Sequence, residues 1–291
     1  MSIRIVSYGG GIQSTAMLVL ASQGKLGPIT ATVFANTGDD SESPHTVAYV
    51  KDHARPFAAL HGIEFVEVNA GQWPTGDPRT LLSHVQAYNG CQACGVGPDD
   101  ECVPACPSSR NTGGDMPIPL KVEPSGMPVS RSCTRQWKVE PIREWLISEG
   151  ATEADPAEIM IGISVDEIER ATNKPRHPAE FVTYPLLDLG LTRQECGRIV
   201  AAAGLPVPKK SACWFCPFHT PRSWAERRRD DPATFRRAVE LEDGINTQRR
   251  RRNLAPLRFI KNRPLADTPE AQAPLFNELG DAGCDEGYCW T

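Results

Sequence analysis

Three consecutive glycines, Gly9, Gly10 and Gly11, follow an apolar run at residues 3–8 and stand just before Gln13, Ser14 and Thr15, which open a second apolar stretch. A turn from strand to helix presents backbone N–H groups, glycine lets that backbone close around a ligand, and a helix N-terminus adds partial positive charge. The chemistry this suits is the holding of a polyphosphate or a sulfate-like anion. No Gly-Lys-Ser/Thr follows at P-loop spacing, and the pattern is not the dinucleotide fingerprint. An ordinary tight turn is the alternative reading.

Ten cysteines form the second set of reactive residues. In a reducing compartment such an excess more often holds metal or carries sulfur chemistry than forms disulfides. Cys213 and Cys216 form a Cys-x2-Cys beside Trp214, Phe215 and Pro217, and two thiolates so spaced can grip one metal or one cluster edge. A zinc half-site or a redox pair stays open, although no thioredoxin-like setting surrounds them. Cys91, Cys94, Cys102 and Cys106 lie within sixteen residues among Gly, Pro and Asp, and read as a closed structural zinc knuckle, with a second cluster or disulfides as alternatives. Cys284 and Cys289 stand in "GCDEGYC" near the end and could close a cluster or carry sulfur, or belong to a tail of no consequence. Cys196, alone in a helix-like stretch, reads as a buried thiol.

Charged residues near these groups complete the inventory. Arg135, Lys138 and Arg143 follow Cys133, and such cations would neutralise charge on a transferring phosphoryl or sulfuryl group. Asp166, Glu167 and Arg170 follow the strand-like "IMIGIS", where a carboxylate could hold Mg2+, the alternative being solvated helix charge. His219 is a candidate proton donor, although a lone histidine is more often structural.

The elements that must position these residues alternate along the first half: strand-like, helix-like, strand-like, helix-like, strand-like. That order predicts an α/β fold with a doubly wound parallel sheet and helices on both faces, whose ligands sit at the carboxyl ends of the strands. The glycines and the stretch "ANTGDD" both fall there. Residues 1–70 and 130–210 are expected to form the α/β domain that carries the glycine turn. Residues 71–129, rich in Gly, Pro and Cys, are expected to be an insertion built around the zinc knuckle, and 211–291 a C-terminal cluster-binding and basic helical region. The net charge of −5 argues against general coating of nucleic acid, yet residues 226–263 carry twelve Lys/Arg against six Asp/Glu, leaving −11 for the rest. The N-terminal residues lack a signal-peptide pattern and no run is long enough to span a membrane, so a cytoplasmic chain without a membrane partner is expected.

The segment from Ser7 to Thr15 resembles the Ser-x-Gly-Gly-x-x-Ser pyrophosphate loop of the adenine nucleotide alpha hydrolase superfamily. Further segments resemble, in order, the phosphoadenylyl-sulfate (PAPS) reductase branch and its cluster-bearing members. "FANTGDDSESPHTVAYV" resembles the Asp-Thr-Gly segment, "CTRQWKVEPI" the Cys-x-x-Arg-Lys-x-x-Pro-Leu segment, and "GISVDEIERA" the Gly-x-Arg-x-x-x-x-x-Arg element in outline. "YPLLDLGLTRQE" resembles the following Pro-Leu segment, and "SACWFCPF" the cluster cysteines. The chain departs from the pattern at Gln13, where ATP-hydrolysing relatives often carry Asp. It also reads Ser132-Cys133 in place of paired cysteines, and Gly283-Cys284-Asp285 in place of Glu-Cys-Gly.

The resemblance implies that ATP, PAPS or adenylyl sulfate binds at Ser7, Tyr8, Gly9, Gly10, Gly11, Gln13, Ser14 and Thr15, with Asn36, Thr37 and Gly38 on the adenosine side and Gly162 and Arg170 nearby. It implies a 4Fe-4S cluster on Cys133, Cys213 and Cys216 with Cys284 as a candidate fourth ligand. Catalytic roles fall to Cys133, Arg135, Lys138, Asp166 and Cys284. Two reactions follow. In one, a thiolate attacks the sulfur of a sulfonucleotide and sulfite leaves after reduction. In the other, ATP adenylylates an oxygen of a nucleobase or nucleic acid and sulfur displaces the adenylate. The expected partners are a sulfur or electron donor (a thiol, a thioredoxin-like protein or a cysteine desulfurase), with Mg2+, Zn2+ and a second copy in a homodimer as further candidates. A non-enzymatic metal protein binding nucleic acid through Arg227–Arg229 and Arg249–Arg252 is the alternative from another class.

Overall fold

The computed structural model describes residues 2–73, 76–87, 116–172, 177–251 and 253–271. In chain order the elements are β1 (Arg4–Tyr8), α1 (Ile12–Ser22), β2 (Ala31–Ala35), α2 (Pro44–Tyr49), α3 (Arg55–Leu60), β3 (Phe65–Val68), α4 (Leu81–Gln86), β4 (Lys121–Val122), α5 (Glu140–Ser148), β5 (Ala157–Ile161), β6 (Glu180–Thr183), α6 (Pro185–Asp188), α7 (Arg193–Ala202), α8 (Pro221–Asp230), α9 (Pro232–Arg251) and β7 (Leu257–Arg258). None of the described helices is long and apolar enough to cross a membrane.

The chain divides into two compact units: Met1–Ala70 with Thr134–Ala212, and Gly71–Cys133 with Cys213–Glu286. The first is α/β. Its five strands are all parallel, in the order β3-β2-β1-β5-β6. β1 is apolar on both sides because both are covered, as a central parallel strand requires. Ile5 packs with Val33, Ile161 and the α5 residues Ile142 and Leu146. Val6 packs on the other side with Ala16, Met17, Leu20 and the α7 residue Val200. Each such large apolar side chain contributes about 1.5–3 kcal/mol on burial. Helices thus lie on both faces, as the alternation predicts. β6, only four residues long, is a strand that the sequence pattern did not single out.

Two helices carry π-helical turns, Val50–Ala54 leading into α3 and Arg135–Val139 leading into α5. Each ends two residues before a proline, Pro56 or Pro141. Proline has no N–H to close the usual bond and its ring crowds the carbonyl four residues back, so a widened turn upstream relieves the clash. α7 starts with a reciprocal cap: Thr192 Oγ1 accepts the Glu195 N–H at 3.2 Å and Glu195 Oε2 accepts the Thr192 N–H at 2.8 Å.

Cys196, on α7, is fully buried. Burial first, then the nearby charges of Asp166 and Glu195, push its thiol from 9.0 up to about 12. A raised folded value means that the stabilisation is complete below the unfolded value near 9 and is lost as pH climbs towards 12. Cys196→Ala is therefore expected to flatten the loss of stability over that interval, by up to about 1.4 kcal/mol per pH unit. Urea unfolding of both proteins across the interval measures it; equal slopes would refute the assignment.

The second unit pairs β4 with β7 antiparallel. Its core centres on Trp224, fully buried, with Phe259 at 5.4 Å and Phe235 at 6.4 Å between ring centres. Glu242 is also buried. It accepts the N–H groups of Phe259 and Leu265 at 2.9 Å each and faces Arg258, while burial raises its pKa. Asn246 exchanges two bonds of 2.8 Å with the backbone of Leu257, fastening α9 to β7.

Candidate functional site

The strand order of the first unit reverses between β1 and β5, where consecutive connections run to opposite sides of the sheet. Open α/β sheets bind ligands in the crevice at the carboxyl ends of such strands. Gly9–Gly11 follow β1 there, and Gly162–Ser164 follow β5.

The glycine turn has a conformation other residues resist. Gly10 has φ +74°, and a Cβ on it would lie 2.6 Å from Thr46 Cγ2. At Gly9 a Cβ would meet nothing within 4 Å, so open space lies beside the loop. Two hydroxyls brace the turn from the first turn of α1: Ser14 Oγ accepts the Gly11 N–H at 3.2 Å, and Thr15 Oγ1 donates to the Gly11 carbonyl at 2.9 Å. Tyr8 is buried, with its hydroxyl 3.0 Å from Thr15 Oγ1, and burial raises its pKa. Tyr8, Ser14 and Thr15 thereby shape the loop.

Ser7 differs from them. Its Oγ is buried without a hydrogen-bond partner, and Arg170 Nε, in the segment after β5, is in the same condition. Unsatisfied buried donors cost roughly 1–3 kcal/mol each and are rare unless a ligand completes them. Both residues belong to the set that the resemblance assigns to the nucleotide, and the orphaned atoms fit an anion.

A polar network fixes the wall of the crevice. Glu167, buried, accepts from Arg170 at 2.6 Å and from Gln13 Nε2 at 3.1 Å. Arg193 donates to Gln13 Oε1 at 3.1 Å. Gln13 is thus held from both ends of its amide. Asp166 is exposed and accepts the Arg193 N–H. On the β2 side, Asn36 accepts the Gly38 N–H at 2.8 Å and donates to Glu67 at 2.7 Å and Asp39 at 2.8 Å, while Thr37 donates to buried Glu42 at 2.8 Å. Their side chains build the loop. Glu42, Thr46, Ser164, Arg193 and Ser211 were not singled out from sequence; Glu42 meets Thr37 nearby, but Thr46 and Ser211 meet the glycine turn and Ser164 and Arg193 meet Gln13 from far away in the chain, and only the Thr192–Glu195 cap signalled that Arg193 opens a helix.

Gly162 brings β5 against α1. A Cβ there would come within 3.1 Å of Gln13 C, Ser14 N and Met17 Sδ. Gly162→Ala is expected to push the start of α1 away, cost roughly 1–3 kcal/mol of stability and weaken nucleotide affinity. Unfolding and titration calorimetry on one preparation test it; unchanged affinity would separate Gly162 from the site.

Arg135 is exposed and pairs with Glu140 at 2.8 Å on the same helical segment. Arg143 pairs with buried Glu180 at 2.7 Å. Cys133, Cys213 and Cys216, the cysteines expected to hold a cluster, all belong to the second unit, and none of them is in a disulfide. Cys213 to Cys216 form a turn closed by the Cys216 N–H to the Cys213 carbonyl at 3.1 Å, with Trp214 and Phe215 buried beneath and both cysteines half-buried. Arg227 donates to the Trp214 carbonyl and burial lowers its pKa, while Arg237 lies 4.4 Å over the Trp214 ring. His219 contacts the Cys213 carbonyl at 3.2 Å. This soft two-thiol turn fits two corners of a cluster. Among the described residues, no group of three or more His, Cys, Asp or Glu is arranged to hold a metal ion. Cys91, Cys94, Cys102, Cys106, Cys284 and Cys289 lie outside the described residues.

The chain matches no family model and no curated protein.

Proposed function

We propose that this chain is an adenine-nucleotide-dependent sulfur-handling enzyme of the PAPS reductase-like kind, binding ATP, PAPS or adenylyl sulfate at the β1–β5 switch point. The observation that carries the reading is the pair of buried, unpartnered polar atoms, Ser7 Oγ on β1 just before the glycine turn and Arg170 Nε in the segment after β5. In this reading Ser7 donates its proton to a phosphate or sulfate oxygen, Arg170 adds charge and an N–H, and Gly10 turns backbone N–H groups to the anion. Gln13, fixed by Glu167 and Arg193, orients the chain of phosphates.

Cys213 and Cys216, with Cys133 as third ligand, would hold an iron–sulfur cluster, which when bound supplies sulfide or electrons. Cys196, fully buried with a raised pKa, is unsuited to act as a nucleophile. The alternative of a non-enzymatic nucleic-acid binder loses its first arginine run. Arg227 and Arg228 donate to the Trp214 and Thr268 carbonyls and stack over Trp224 and Phe235.

The test is incubation of anaerobically purified protein with ATP and a nucleic-acid acceptor, or with PAPS, each with a thiol donor. Release of AMP and pyrophosphate from ATP marks adenylylation; release of sulfite from PAPS marks reduction. Neither nucleotide bound nor consumed would overturn the proposal.

A further inference from the structure

The second unit contains a cleft of about 780 Å3 whose wall, among the described residues, includes Lys121, Phe218, His219, Lys261, Asn262 and Arg263, and no carboxylate. Two of its cations come from one tight turn. The Arg263 N–H bonds the Ile260 carbonyl at 3.3 Å, and Asn262 takes φ +54°, a left-handed value that asparagine tolerates. The aliphatic stem of Lys261 lies across Gly126, where a Cβ would come within 2.4 Å of Lys261 Cε and 2.8 Å of Cδ. Only glycine leaves room for the stem in that course. No described residue accepts a hydrogen bond from the Lys261 ammonium, and Arg263 Nε is buried without an acceptor. The third cation, Lys121, donates to the Pro217 and Phe259 carbonyls at 3.4 and 3.2 Å, which fixes its charge in the wall.

Cations gathered without a carboxylate repel one another, and a buried guanidinium N–H without an acceptor is costly. An anion relieves both. Phe218, half-buried and backed by the Arg131 guanidinium at 5.0 Å, adds an aromatic surface. A cationic groove with an aromatic platform is the arrangement that holds a single strand, whereas duplex readout requires a protruding element that enters a groove. We propose that this cleft binds the phosphodiester backbone of a single-stranded nucleic acid. Pro217, Phe218 and His219 directly follow Cys216, so the strand would lie along the segment that continues the Cys-x2-Cys turn.

The test is fluorescence anisotropy of the full chain with a labelled single-stranded oligonucleotide of mixed sequence, the matching duplex, and ATP as competitor. The expected result is salt-sensitive binding of the single strand, weaker binding of the duplex, and no displacement by ATP. Lys261→Gln with Arg263→Gln is expected to weaken the single strand about tenfold and to make the slope of log K against log salt shallower by about 1.4, since each phosphate contact contributes about 0.7. Lys25→Gln with Lys51→Gln, both exposed in the first unit and outside the cleft, is expected to leave affinity unchanged. Absence of binding, equal loss in both double variants, or displacement by ATP would each overturn the proposal. Nucleotide titration of the same variants is expected to be unchanged, so this inference and the nucleotide reading fail separately.

Discussion

Gly10→Val is expected to abolish nucleotide binding in titration calorimetry while circular dichroism retains the α/β signature. The branched side chain meets two obstacles at once: a positive φ of +74°, and Thr46 Cγ2 at 2.6 Å from the new Cβ. Backbone strain of this kind costs about 1–3 kcal/mol, and the loop must shift to relieve it, carrying its N–H groups off the anion. Because such a variant could lose binding through a fold defect, Ser7→Ala is its companion. Removing a buried hydroxyl without a partner is expected to leave stability unchanged or slightly higher. Nucleotide affinity is expected to fall about tenfold, the worth of one hydrogen bond to a charged group. A Ser7→Ala protein of reduced stability and normal affinity would mean that the hydroxyl serves the fold, and would remove the main support for the site.

Cys213→Ser combined with Cys216→Ser is expected to strip the protein of iron and of broad brown absorbance. The turn itself should survive, because Trp214 and Phe215 anchor it from below and the Cys216 N–H to Cys213 carbonyl bond is unaffected by the sulfur. Thermal unfolding of the metal-free proteins should therefore be alike, while iron analysis of anaerobic preparations separates them. Cys133→Ser should lose the same colour. Native protein that is iron-free and colourless when prepared without oxygen, or a double variant that keeps its iron, would remove the cluster from the proposal.

The glycine turn was legible because its signal is local: an apolar strand, three glycines and a hydroxyl-bearing helix start lie within residues 5–15. The Cys-x2-Cys turn was legible for the same reason. The division of labour within the loop was not. From sequence, Tyr8, Ser14 and Thr15 read as ligand contacts alongside Ser7, yet their hydroxyls brace one another and Gly11, and only Ser7 is left with an unmet bond. The Gln13–Glu167–Arg170–Arg193 network was hidden because it depends on β5 lying beside β1 and on α7 packing against α1. Periodicity reports which face of a helix is buried, and says nothing about which polar groups meet at its end. β6 escaped notice because four residues, Glu180–Thr183, carry too little alternation to stand out.

The parallel pairing of β1 with β5 also sets when the first unit can form. Arg4 and Glu158, which face each other across that pair, are 154 residues apart in the chain. At the usual 5–20 residues per second of synthesis, β1 waits roughly 8–30 s for its neighbour to be made. During that time it has only the first stretch of the unit, through β3, with which to cover its apolar sides, and closure of so long a loop is slow. The early chain is therefore the species most exposed to self-association. Nucleotide can guard only the finished protein, because Glu167, Arg170 and Arg193 emerge after β5.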